Sequence, residues 1–131
     1  MNKVNLKDVI KAMEVMNSDI VILFDKDKSR FLYIPKIYQD QVDIYLSQKN
    51  MIAFLSIEDI PFIQIREQFI ETLSGSMKIE FQKQFSGKYR FKQFKDTLTK
   101  YHQWEEFNGF QNEKYTQIAR IWCEKNHISY I

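Results

Sequence analysis

Cys123 and His127 stand four residues apart, the spacing that sets two side chains on one face of a helix. A thiol activated by an imidazole needs such proximity. A lone cysteine flanked by apolar helix residues is more often a small buried hydrophobe, and that reading is preferred for Cys123. Only one further histidine, His102, is present, and two histidines with one cysteine do not by themselves make a His/Cys zinc site. Glu105 and Glu106 are adjacent, so on a helix they diverge by about 100° and do not form a facing acid/base pair.

Two loops resemble ligand sites only in part. Asp25-x-Asp27-x-Ser29 opens like a calcium loop, but Arg30 stands where the turn needs glycine and Lys36 where a bidentate acid would close the shell. Ser86-Gly87-Lys88 echoes the end of a phosphate loop, yet the three glycines (Gly75, Gly87, Gly109) are too scattered to build one. No residue is therefore assigned to catalysis, a cofactor or a metal, and the chain is read as non-enzymatic.

The remaining chemistry is electrostatic and aromatic. Residues 77–101 hold seven bases and two acids, a local excess of five, whereas the rest of the chain carries a net −3. Phe91, Phe94, Leu98 and Tyr101 keep helical spacing, with Lys92, Lys95 and Lys100 outside their arc. Such a helix suits either a nucleic acid, with bases on phosphates and Tyr89 or His102 free to stack, or an ordinary solvated face. Twenty aromatics in 131 residues fit two readings equally: a well-filled core, with Phe91, Phe94, Trp104 and Phe107 as anchors of its helices, or a surface patch from Tyr101, Trp104, Phe107 and Phe110, of the kind that marks a partner or a self-association surface. The contact candidates are Lys88, Arg90, Lys92, Lys95, Tyr101 and Trp104.

The elements that must position these residues follow from periodicity. Leu6, Val9, Ile10, Met13 and Met16 predict a helix over 5–16, with Asn5 as its cap. Residues 20–24 and 31–34 are β-branched and aromatic runs around a polar loop, which predicts a hairpin stopped by Pro35. A short helix follows at 37–47, then a third strand or extended segment at 51–56. Stripes at Ile65/Phe69/Leu73 and Met77/Phe81/Phe85 predict two helices, with Ser76 as a cap and Gly87 as the residue just past the second. A last helix covers 113–125, with Tyr115, Ile118, Ala119 and Trp122 inward, and 128–131 trails off extended. Strands early and helices late define an α+β class: an N-terminal helix, a small antiparallel sheet and a C-terminal bundle of about four short helices.

Length and composition frame this reading. A chain of 131 residues with 44% hydrophobic and 27% charged residues forms one domain, 1–131, with the helix and sheet in 1–60 and the helical part in 61–131. A net charge of +2 gives no general field toward nucleic acid or membrane. One cysteine excludes an internal disulfide, and the opening MNKVNLKDV carries no leader pattern, so a reducing cytoplasm is expected. Apolar runs such as 20–24 are too short to span a bilayer.

The run Gly87-Lys88-Tyr89-Arg90-Phe91-Lys92-Gln93-Phe94-Lys95-Asp96, followed by Trp104-x-x-Phe107, resembles the bacterial Uncharacterised Protein Family 0158. That family carries a Gly-Lys-Gly-Ala-Phe-Arg-Arg-Phe-Lys-Asp type run and a downstream Trp-Tyr-x-Phe. Arg66-x-x-Phe69-Ile70 and the closing Ala119-x-x-Trp122, with Asn126 and Ile128, are similar to its other motifs, while Tyr89 and His127 replace family glycines. The resemblance implies a fold and a bacterial origin and no assigned activity. The function expected is a non-enzymatic protein-interaction or adaptor domain, self-associating or bound to another protein. The alternative is a nucleic-acid-binding module acting through residues 88–100.

Overall fold

The computed structural model describes residues 3–131; Met1 and Asn2, the start of the opening stretch considered above, lie outside them. The architecture is α+β, with six α-helices and one three-stranded antiparallel sheet among the described residues. The chain divides into two compact units, Met1–Ile60 with Tyr115–Ile131, and Pro61–Lys114.

In the first unit, α1 (Leu6–Val15) starts where Asn5 Oδ1 accepts the Lys7 N–H at 2.9 Å, and it buries Val9, Ile10, Ala12 and Met13. The cap satisfies one of the four N–H groups that a helix start leaves unpaired. The hairpin pairs β1 (Ile20–Asp25) with β2 (Arg30–Pro35), from Ile20 opposite Pro35 to Asp25 opposite Arg30. Its turn is closed by Ser29 in the left-handed region, at φ 50°. One 3-10 turn (Lys36–Tyr38) leads into α2 (Gln39–Leu46). The third strand is real but short: β3 (Met51–Ala53) pairs with the other edge of β1, giving the order β2-β1-β3.

Alternation along the strands sorts the side chains into two faces. Leu23, Ile34 and Met51 pack with Val42 and Tyr45 of α2 on one face. On the other, Phe24 and Phe31 gather with Phe54 around Trp122, with ring centroids 4.8–6.1 Å apart. Asp25, at the end of β1, is buried. Its Oδ1 accepts the Asp27 and Lys28 N–H groups and the Asn50 side-chain amide at 3.0–3.1 Å, so the hairpin turn is tied to the residue before β3.

Residues 128–131 do more than trail away. Val4 and Tyr130 form a parallel bridge in which Val4 donates to Ser129 O at 2.9 Å and Ile131 donates to Val4 O at 2.9 Å. The two ends of the described chain thereby satisfy each other's backbone groups.

The second unit contains α3 (Phe62–Thr72), α4 (Gly75–Gln84), α5 (Phe91–Lys100) and the first half of α6 (Trp104–Lys125). Its core is Phe69, Ile70, Phe81, Phe85, Phe94, Leu98 and Phe107. Three boundaries differ from the sequence reading. The last helix starts at Trp104, not near residue 113, and continues through Gly109 for 22 residues. Ser74 precedes α4 in place of Ser76, with Gly75 taking a left-handed φ of 61°. Gly87 has no left-handed φ and lies beyond Phe85, the residue that ends α4.

Candidate binding surface at the start of α5

Lys88 and Arg90 stand in the irregular segment that enters α5, with Arg90 extended, and Lys92 and Lys95 lie on its first turns; all four are exposed. The spacing of Lys92 and Lys95 puts them on one side of the helix. None of the four makes an ion pair among the described residues, where the bridge is Lys78 Nζ to Glu71 at 3.1 Å. Asp96 is four residues from both Lys92 and Lys100, yet neither contact closes to a salt bridge.

The first turn of α5 contains no acid. Its capping interaction is the Arg90 N–H donating to Gln93 Oε1 at 3.0 Å. A helix start carries about half a positive charge, and a cation there is disfavoured by roughly 0.3–1 kcal/mol. Lys88, Arg90 and Lys92 therefore sit against the local field with no compensating acid in contact. An anionic group bound there would remove that repulsion.

Beneath the cations lie the rings. Phe94 is fully buried, whereas Phe91 is 36% exposed. The Arg66 guanidinium lies 4.7 Å from the Phe91 ring centroid, and 5.8 and 5.9 Å from Tyr89 and Phe94. Its Nε is buried with no hydrogen-bond partner, so stacking on the rings is the interaction that holds this side chain. Phe91 meets Trp104 edge-on at 6.3 Å, and Lys95 Nζ caps the Trp104 ring at 4.7 Å. Lys100 covers Tyr101 in the same way, at 5.6 Å.

The six contact candidates thus separate into two groups. Lys88, Arg90, Lys92 and Lys95 are each exposed and fall in one stretch of chain around the start of α5, with Lys95 also over the Trp104 ring. Tyr101 and Trp104 are half-buried and already engaged by lysines, and Tyr101 also packs against Phe81. Of the proposed aromatic patch, Phe107 is fully buried and Phe110 packs on Phe69, so these rings are scaffold in place of an open surface. Arg66 was missed as a participant. Its three-residue lead over Phe69 places it one turn from a core ring, the signal that could have pointed to it.

Both histidines have structural positions. His102 and His127 each take φ 56°, the left-handed conformation that follows a helix end. Gln103 donates back to Leu98 O at 2.7 Å, and Ile128 to Cys123 O at 2.8 Å, closing the last turns of α5 and α6. Cys123 is buried while His127 is exposed, so no thiol–imidazole pair forms. Burial, aided by the charge of Glu124, pushes the Cys123 thiol up to about 11. Folded protein at pH 8 is therefore expected to resist iodoacetamide, with one thiol becoming reactive in urea, which mass spectrometry would read; rapid alkylation of folded protein would contradict this burial.

Asp25-x-Asp27-x-Ser29 is an Asx-type turn, with the Asp25 oxygen committed to its donors as described. Among the described residues no group of three or more His, Cys, Asp or Glu is placed to hold a metal ion. Nor is any helix among them long and apolar enough to cross a membrane.

No family model matches the chain. No curated protein and no solved structure matches it either.

Proposed function

We propose that the chain is a non-enzymatic binding domain that engages an acidic protein segment through the exposed cations at the start of α5. The supporting observation is the crowding of Lys88, Arg90 and Lys92 onto the positive end of that helix with no acid in its first turn and no ion pair among them. A local arrangement that costs stability without an internal partner is expected where function supplies the partner. Phe91, partly exposed among these cations, adds an apolar contact, which suits a segment carrying both acidic and apolar side chains.

The nucleic-acid alternative draws on the same cations for phosphates. It is weakened at Tyr89, which packs against Phe85 at 4.8 Å and lies 5.8 Å from the Arg66 guanidinium, so that His102 is the one exposed stacking group of the two. The resemblance to Uncharacterised Protein Family 0158, a cytoplasmic location and self-association are compatible with this proposal and supply none of its support.

Fluorescence anisotropy with a labelled peptide alternating glutamate and leucine, and with labelled polyuridine RNA, tests the reading. Wild type is expected to bind the peptide more tightly than the RNA, and a Lys88→Glu/Arg90→Glu/Lys92→Glu/Lys95→Glu variant to lose about tenfold or more in peptide affinity, or at least about 1.4 kcal/mol. Salt-dependent binding of RNA alone would transfer the function to nucleic acid. Binding of neither probe would refute both.

A further inference from the structure

A concave surface lies in the first unit, built from residues other than those at the start of α5. α1 and the β1–β2 hairpin flank an open cleft of about 540 Å³. Pockets that take small organic molecules span about 300–1,000 Å³. One wall is the side of α1 carrying Asp8, Lys11 and Val15, which recur at helical spacing. The other wall comes from Ile20, Phe31 and Tyr33 on one face of the hairpin, with Ser29 and Arg30 at the turn end.

The lining is apolar in its body and charged at selected points. Val15 and Tyr33 are large side chains left 44% and 45% exposed, and both turn that exposure into the cleft wall. Lys11 and Arg30 are exposed and make no ion pair among the described residues. Asp8 is the single acid in the lining, so the cleft carries an excess of one positive charge. Burial and the nearby charge of Asp8 push the Tyr33 phenol up from its ordinary value, so its hydroxyl stays protonated and able to donate.

We infer that this cleft binds a small organic monoanion with an apolar body, of the aryl-carboxylate class. Lys11 and Arg30 take the carboxylate, and Val15, Ile20 and Phe31 cover the body. The charge balance selects the class: one surplus cation is neutralised by a monoanion, whereas a cationic ligand would add to the excess.

Two-dimensional amide NMR of the full chain with phenylacetate, phenethylamine and acetate tests this. Phenylacetate is expected to shift the amides of residues 11–15, 20 and 30–33 saturably below about 10 mM, while phenethylamine and acetate leave them unchanged. Lys11→Ala and Arg30→Ala alter exposed side chains, so a native amide spectrum is expected, with phenylacetate affinity reduced about tenfold in each. Equal shifts from phenethylamine would overturn the charge selection, and equal shifts from acetate would show an adventitious ion only. No shift of these amides by phenylacetate, or unchanged affinity in both variants, would overturn the site.

Discussion

Replacing Phe94 with alanine is expected to cost about 3–5 kcal/mol, a large fraction of the roughly 5–15 kcal/mol by which a domain is stable. Phe94 is fully buried, and its ring meets Phe85 at 5.0 Å, Phe107 at 5.2 Å and Phe81 at 6.1 Å. It therefore touches α4, α6 and its own helix α5 at one point. Truncation removes the aromatic contacts and leaves a cavity that three helices must collapse to fill. Phe94→Leu retains much of the volume and is expected to cost less than about 1.5 kcal/mol. Urea denaturation followed by circular dichroism gives both values. A small loss for Phe94→Ala would mean that the ring cluster does not hold the second unit together.

The second large effect is expected at Asp25. Alanine there orphans three donors, two turn N–H groups and the Asn50 amide, and is expected to cost about 2–4 kcal/mol. Burial pushes the carboxyl up, but the Asn50 amide, the Lys28 and Asp27 N–H groups and the charge of Arg30 outweigh it and hold Asp25 below the usual carboxylate range. A carboxyl depressed on folding contributes stability that is fully present above its unfolded value and is lost as pH falls through its folded value. The stability gap between wild type and Asp25→Ala is thus expected to be full near neutrality and to shrink as pH falls below the ordinary carboxyl value of 3.8. Urea midpoints at pH 7 and near pH 3 read this directly. A gap that widens on acidification would contradict the hydrogen-bond assignment.

What the sequence made legible was local. Asn5 before a helical stripe, and β-branched runs around the polar residues 25–30, specify α1 and the hairpin through short-range physics. The start of α6 was obscured because Asn108, Gly109 and Asn112 interrupt the apolar stripe, and packing of Phe107 and Phe110 holds the helix through them. Phe107 fits a core anchor as well as a surface patch in the sequence, because a count of aromatics does not say which rings share a core; its burial decides for the core. The left-handed histidines had weak signals, since glycine or asparagine is the usual residue past a helix end. The Val4–Tyr130 bridge and the α1–β2 cleft had none: each joins residues that only tertiary packing brings together. The α5 cations were visible as a local charge excess, whereas their lack of acidic partners was not, because that depends on where Asp96 and the glutamates point.

Amide chemical-shift mapping with the unlabelled glutamate–leucine peptide tests the binding surface most directly. The largest changes are predicted at residues 88–95, spreading through the Phe91 ring to Arg66 and Trp104, and fading as salt is raised. Saturable changes centred elsewhere, or changes at 88–95 that salt leaves intact, would contradict an anion-binding role for the start of α5.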